Sequence, residues 1–373
     1  MEVVKPVKRN VLLNPGPATT SDAVKYAQVI PDICPREQEF VDIMTRVRKD
    51  LVKVVHGDPE KYTSVIFTGS GTIVQDVLVN SLVPEGKKSL VVNNGAYAAR
   101  MVEIAQYYNI DCVDIQSSTT GLPDLAEVKK AIEEDKDIAV VAAVHHETGT
   151  GVLNPVKEIG RIAHDNDCIF IVDTISTYGL RPLDIEEENI DFLMSSAQKG
   201  LAAMTGASWT VGNIKAIEKS KTFPKRSYYC NLFMQYDFFN RVGEMHFTPP
   251  VQTIYALEQA LKEYFEEGEL NRWDRLQGCW NAIHKGLAEI GLDPVIQGKL
   301  VVTVKAPDDG NFDFATLHDY CFERGFTIYP GKMFGLKTFR LCNLGLINHK
   351  DIEDYFVTAK QAFKQMGYTL PIK

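Results

Sequence analysis

The feature that most constrains this chain is an alternation, between about residues 62 and 215, of short apolar runs with helical patterns. Tyr62 to Phe67, Ser89 to Asn93, Asp111 to Ile115, Ile138 to Val144, Ile169 to Val172 and Phe192 to Ser195 read as strands. Gly71 to Val83, Ala98 to Tyr107 and Leu125 to Ile132 carry helical spacing. A further helix opens at Asn154-Pro155, where asparagine caps and proline fills the first turn. Strands that are apolar on both faces and separated by helices specify an α/β fold, a mostly parallel central sheet covered by helices.

The last third changes character. Two long amphipathic helices, about Gln252 to Glu267 and Asn271 to Ile290, precede strands at Lys299 to Val304, Thr327 to Tyr329 and Phe339 to Cys342. A closing helix runs from Asp351 to Met366. This pattern predicts a smaller α+β domain over 261–373, following a large α/β domain over 21–260.

Composition narrows the function classes. Forty basic and 49 acidic residues leave a net charge of −9, which is not the broad basic surface that nucleic-acid binding needs. The longest uninterrupted apolar run, Ile138 to Val144, is far shorter than the ~20 residues that span a bilayer. Only Val11-Leu12-Leu13 follows the N-terminal lysines before Asn14-Pro15-Gly16-Pro17, so no secretory apolar core is expected. Seven cysteines, odd in number and without CxxC pairs, read mostly as buried thiols in a reducing cytosol rather than as a disulfide framework or a zinc site. His145 and His146 are adjacent, and neighbours on a strand face opposite ways, so no metal site is expected there.

Three strand-end segments carry chemistry. Thr68-Gly69-Ser70-Gly71-Thr72 lies between a strand and a helix, where glycines and a helix N-terminus suit an anion such as phosphate. A plain tight turn would use the same residues, and the spacing fits neither a P-loop nor a dinucleotide fingerprint. Asp173 ends an apolar strand, and a carboxylate delivered there calls for a cationic partner unless it serves as a cap. Lys199, in Ser195-Ser196-Ala197-Gln198-Lys199-Gly200, also follows an apolar strand; a partly desolvated amine there can form a Schiff base, whereas a solvated loop lysine would do nothing. Together, an anion cradle, a strand-end carboxylate and a strand-end lysine match the phosphate, ring nitrogen and aldehyde of pyridoxal 5′-phosphate.

At this point the chain resembles the class-V aminotransferase group of the aspartate-aminotransferase fold (fold type I), and within it the branch that uses 2-aminoethylphosphonate and pyruvate. The likeness covers nearly the whole chain and is carried by Leu12–Pro17, Asp32-Ile33-Cys34-Pro35-Arg36-Glu37, Gly69–Thr72, Asn94-Gly95-Ala96-Tyr97, His146-Glu147-Thr148 with Gly151–Pro155, Ser196–Lys199, and Ile328–Lys332 with Phe339-Arg340. The resemblance implies that Lys199 bonds the cofactor and then moves the proton between substrate and cofactor carbons. It implies that Asp173 pairs with the pyridinium nitrogen, Tyr97 stacks on the ring, Thr148 sits near the 3-hydroxyl, and Ser70, Gly71, Thr72 and Gln198 hold the phosphate, with Ile175 beside the cofactor. Thr248 would reach the phosphate of a neighbouring subunit, which implies a homodimer with shared sites. Arg340 would clamp the substrate anion, whether carboxylate or phosphonate. Gly16 would line the substrate side, and Arg36 would give a second phosphonate contact unless it is an ordinary loop arginine. Residues 1–20 would form an arm between the small domain and the site.

The implied activity is transfer of an amino group from 2-aminoethylphosphonate to pyruvate in a cytoplasmic enzyme. Glyoxylate-using relatives often have histidine where Thr72 stands and tyrosine where Met245 stands, which moves this chain away from an alanine- or serine-glyoxylate activity; Gln198 replaces an asparagine frequent in the phosphonate branch. A lyase or cysteine desulfurase with Cys321 or Cys342 as nucleophile would also use this fold, as would a non-catalytic protein built on it.

Overall fold

The computed structural model describes residues 6–331 and 337–372, with only the backbone of Ile296 and Gln297; Met1–Lys5 of the expected arm and Lys332 lie outside the described residues. A seven-stranded sheet runs in the order Tyr62–Thr68, Ala207–Asn213, Phe192–Ser196, Ile169–Asp173, Ile138–Val144, Lys88–Asn93, Cys112–Gln116. The five strands from Phe192–Ser196 onward are mutually parallel. The six strands expected from apolar runs are all present.

Ala207–Asn213 is the unexpected seventh, antiparallel to both neighbours. Ser208, Thr210 and Gly212 interrupt its apolar pattern, yet the strand is buried because the polar groups find partners inside the fold. Ser208 Oγ donates to Gly69 O at 2.9 Å and Thr210 Oγ1 to Leu193 O at 2.7 Å. The helix expected to open at Asn154 begins at Val156, and Asn154 does not cap it. Its amide is drawn instead to Val144 O, 2.8 Å away, and to Asn94 Oδ1 at 3.1 Å, two partners inside the fold that spacing along the chain does not reveal.

The second sheet is antiparallel throughout, in the order Pro294–Gln297, Val301–Lys305, Thr338–Cys342, Tyr329–Pro330. A separate apolar cluster joins it to the helices Glu269–Ile290 and His349–Gln365 through Ile283, Leu287, Leu341, Phe356 and Phe363. The strand expected at Thr327 to Tyr329 is split. Phe326–Thr327 pairs in parallel with Val11–Leu12, while Tyr329–Pro330 pairs with the Arg340 strand.

The N-terminal segment therefore links two regions. Leu13 N donates to Thr327 O and Leu13 O accepts from Cys342 N, both on the small-sheet side; Ala18 N donates to Gln198 O, beside Lys199. No helix among the described residues is long and apolar enough to cross a membrane.

Candidate active site

Parallel strands deliver their C-terminal ends to one edge of the sheet, and the loops leaving that edge are where α/β folds bind ligands. Tyr62–Thr68 runs into Gly69-Ser70-Gly71 and the helix Thr72–Leu82; Ile169–Asp173 ends in its carboxylate; Phe192–Ser196 runs into Ala197-Gln198-Lys199. The structure brings Ser70, Gly71, Thr72, Tyr97, Thr148, Asp173, Ile175, Gln198 and Lys199 to a single cavity. Gly16, Tyr97, Lys199 and Arg340 line an adjoining one. Lys199 and Tyr97 stand at the junction.

Asp173 is buried and no cation pairs with it among the described residues. Its Oδ1 accepts from Ile175 N at 2.9 Å and its Oδ2 from Gln75 Nε2 at 2.7 Å. Burial nevertheless dominates and pushes the carboxyl up to about 6, against those hydrogen bonds and the pull of Lys199 and Arg100. This is a carboxylate in need of a positive partner. Lys199 is held the opposite way: burial lowers its ammonium from the ordinary range, with Cys342 and Asp173 opposing and Arg340 assisting. Its Nζ donates to Pro15 O, and Gly16 packs so closely that a Cβ there would lie 2.6 Å from Lys199 Cδ and Cε.

These residues fit pyridoxal phosphate. No side chain caps the first turn of the helix Thr72–Leu82, which leaves a helix N-terminus to an anion. Gln198 Oε1 and Ser196 Oγ are buried at the cavity without a hydrogen-bond partner among the described residues. With Asp173 and Lys199 they make an acceptor-and-donor set for a protonated ring, an aldehyde and a phosphate.

Arg340 is 3% exposed. Its Nε donates to Pro330 O at 3.2 Å and its Nη1 to Thr148 O at 3.0 Å, its guanidinium lies 5.4 Å from the Tyr329 ring centre, and no carboxylate pairs with it among the described residues. A buried guanidinium held, among the described residues, by carbonyls alone keeps a charge that an anion would satisfy.

Arg36 and Thr248 do not line the cavities at Lys199, and for Thr248 the expectation concerned the site of a neighbouring subunit. Arg36 Nη1 donates to Glu244 Oε2 at 2.5 Å and Met245 O at 2.7 Å, away from the Lys199 cavities. Thr248 is exposed, next to Phe247 and its stacked partner Tyr229. Conversely, sequence reasoning gives no role to Gln75, Arg100 or Glu147. Gln75 lies one turn beyond Gly71, and Arg100 one turn beyond Tyr97, so each shares a helical face with a residue already singled out. Arg100 Nη1 donates to Thr72 Oγ1 at 3.1 Å, and its guanidinium lies 5.0 Å from the Tyr97 ring centre. Glu147, fully buried, accepts from Tyr97 N and Gly149 N, and burial pushes it up to about 7.

Cys321 and Cys342 are both buried, and burial pushes both thiols up to about 12, which withholds the thiolate that a desulfurase nucleophile needs.

Sheet order, strand-end loops and second sheet together define a fold-type I pyridoxal-phosphate enzyme. An alanine–glyoxylate aminotransferase from Nostoc sp. superposes with a TM-score of 0.88 at 24% identity, covering 97% of each chain. A pyridoxamine–pyruvate aminotransferase from Mesorhizobium loti superposes with a TM-score of 0.86 at 20% identity over 99% of this chain and 95% of that one. The model of the family "Aminotransferase class-V" matches residues 22–299, and the chain belongs to that family: it is a pyridoxal-phosphate-dependent aminotransferase. A 2-aminoethylphosphonate–pyruvate transaminase of Bacillus cereus is 34% identical over 347 residues, which are 92% of this chain and 94% of that protein. A bifunctional phosphonoacetaldehyde hydrolase/aminoethylphosphonate transaminase of Clostridioides difficile (strain 630) is likewise 34% identical over 349 residues, or 92% of this chain; the match spans 55% of that longer relative.

Proposed function

We propose that this aminotransferase moves the amino group of 2-aminoethylphosphonate to pyruvate in two half-reactions, giving phosphonoacetaldehyde and L-alanine. The structural observation that carries this reading is a buried guanidinium without a carboxylate partner, Arg340, lining the same cavity as Lys199. The relatives at 34% identity supply the substrate class.

Ser70, Gly71, Thr72 and Gln198 would hold the cofactor phosphate, Tyr97 would stack on the ring, Ile175 would pack beside it and Thr148 would lie near its 3-hydroxyl. When bound, pyridoxal phosphate supplies an electron sink for a carbon next to the substrate nitrogen. Asp173 would hold the proton of the ring nitrogen. Lys199 would anchor the cofactor through its amine, and that amine, once free, would serve as the base that takes a proton from the substrate CH2 and as the acid that gives it back. Burial lowers the ammonium of Lys199 from its ordinary range, which favours the neutral amine that a base requires. Arg340 holds the phosphonate in one half-reaction and the pyruvate carboxylate in the other, a double use that guanidinium geometry permits. Gly16 leaves room for Lys199 to swing.

Thr248 would serve the phosphate site of a second copy in a homodimer. The exposed Thr248 and its aromatic neighbours Tyr229 and Phe247 support that arrangement, and Arg36, tied to Met245, would approach substrate through the same loop. Residues 1–20, 21–260 and 261–373 would act as arm, large domain and small domain. The separation of the two main apolar clusters supports this division.

The test is a donor and acceptor panel: 2-aminoethylphosphonate, alanine and serine, each with pyruvate and with glyoxylate. Highest kcat/KM with 2-aminoethylphosphonate and pyruvate is expected. A clear preference for alanine with glyoxylate overturns the assignment.

A further inference from the structure

The helix Ala96–Tyr107 starts without a cap of its own: Gly95 precedes it and offers no side chain. The acceptor arrives from a different strand. Glu147 places Oε2 3.2 Å from Tyr97 N and Oε1 3.1 Å from Gly149 N. The space it fills exists only because residue 95 is glycine, since a Cβ there would lie 2.2 Å from Glu147 Cγ. A carboxylate so placed takes up an orphan N–H and complements the helix dipole. The adjacent peptide carries a second tie, because Thr148 O accepts from Arg340 Nη1 at 3.0 Å.

We propose that Glu147 is a positioning residue for the cofactor: by capping the helix Ala96–Tyr107 from a separate strand, it fixes where the Tyr97 ring stands. The inference rests on the reading of Tyr97 as the ring-stacking residue. Glu147 acts through the backbone of residue 97 and needs no contact with cofactor or substrate.

A double-mutant cycle on cofactor affinity tests it. The holoenzyme is stripped of cofactor and titrated with pyridoxal phosphate, with Kd read from the visible absorbance and the visible circular dichroism of the bound ring. Loss of a helix cap corresponds to a factor of about 3 to 30 in an equilibrium constant, so Glu147→Ala is expected to raise Kd about 10-fold and weaken the dichroism band. Tyr97→Ala is expected to raise Kd at least as much. In the double variant Kd should rise no more than about 2-fold beyond Tyr97→Ala alone, because residues that act as one unit are not additive.

Full additivity, about 100-fold for the double variant if each single gives about 10-fold, overturns the proposal, as does an unchanged Kd in Glu147→Ala. An unchanged Kd in Tyr97→Ala overturns it from the other side by removing the stacking residue, and that outcome is told apart by the single variant concerned. If Glu147→Ala does not fold, the cycle is run with Glu147→Gln, which keeps the volume and one acceptor oxygen. A rise of about 3-fold that vanishes in the Tyr97→Ala background is then the supporting result, and its persistence there the overturning one.

Discussion

The two cavities that meet at Lys199 are built in different ways. On one side, Asp173, Gly69–Thr72 and Gln198 all lie within a few residues of strand ends in one sheet. The buried carboxylate there is held by two N–H donors, from Ile175 and Gln75. On the other side, Gly16, Tyr97, the turn after Glu147, Tyr329 and Arg340 come from separate parts of the chain. Their ties are long: Arg340 to Thr148 spans 192 positions and Lys199 to Pro15 spans 184. The charges differ as well, an N–H-bonded carboxylate against a guanidinium held only by carbonyls. One side is thus built mainly on strand ends of the central sheet, whereas the other draws on the small sheet and the N-terminal segment as well.

The most severe way to probe this division is to remove Lys199, one of the residues common to both sides. Lys199→Ala should lower turnover by about 10⁴-fold or more, since the proposed covalent anchor and proton carrier are both lost. The parent protein should be yellow, and borohydride should fix the chromophore on Lys199, as peptide mapping would show. A variant with near-parental turnover would remove the basis of the whole site.

Arg340 sharpens the comparison next. Arg340→Met should cost about 10- to 100-fold in kcat/KM for 2-aminoethylphosphonate, the worth of a charge-assisted pair of hydrogen bonds in a buried site. It should change the pyridoxal phosphate Kd by no more than a few-fold, because its tie to the cofactor side is the single hydrogen bond to the backbone oxygen of Thr148. Steady-state rates and a cofactor titration on one preparation check both halves. Equal losses on the two sides would show that the cavities are not separable.

The same contrast explains what could be read from the letters. Asp173, Lys199 and the Gly69–Thr72 turn were legible because a strand-end position is a local property: an apolar run stops and a functional residue follows. The parallel strands were legible for the same reason. Ala207–Asn213 was not, because Ser208 and Thr210 look like surface residues until Gly69 O and Leu193 O are brought to their hydroxyls. Asn154 read as a cap because its true partners, Val144 O and Asn94, are tertiary. Arg340 entered through family resemblance alone; nothing near it in sequence distinguishes it from a surface arginine, and its burial depends on Thr148 and Pro330. Glu147 was visible as part of a motif, but its role depends on Gly95 standing opposite.

Asp173 gives a pH-dependent test of the sheet-built side. Its carboxyl rises from 3.8 when unfolded to about 6 in the cofactor-free fold, so the folded state favours the proton. The stability it contributes is fully present below pH 4 and is lost as pH rises through about 6. In cofactor-free protein, Asp173→Asn should therefore be more stable than the parent at pH 8, by up to about 3 kcal/mol, and equal to it near pH 4. Pyridoxal phosphate should reverse the order at pH 8 by giving the parent carboxylate its cationic partner. Urea unfolding at the two pH values, with and without cofactor, measures this. A parent that gains stability between pH 4 and pH 8 relative to Asp173→Asn would contradict the sign.

The smallest expected effect isolates the close approach on the other side. Gly16 has φ +137°, a conformation that residues with a Cβ rarely adopt, and the added carbon would also meet Lys199 at 2.6 Å. Gly86 has φ +69°, and an added Cβ would meet nothing within 4 Å. Gly86→Ala thus carries backbone strain alone, whereas Gly16→Ala carries strain plus displacement of the lysine. Both should lower stability by about 1 to 2 kcal/mol, but only Gly16→Ala should lower kcat, by about 10-fold, because the displaced group is the amine proposed to move the proton. Thermal unfolding and single-turnover rates of the two variants separate these contributions. If Gly16→Ala loses stability and keeps the parental rate, the N-terminal segment braces the fold without constraining Lys199, and the side built from distant segments is looser than these contacts make it.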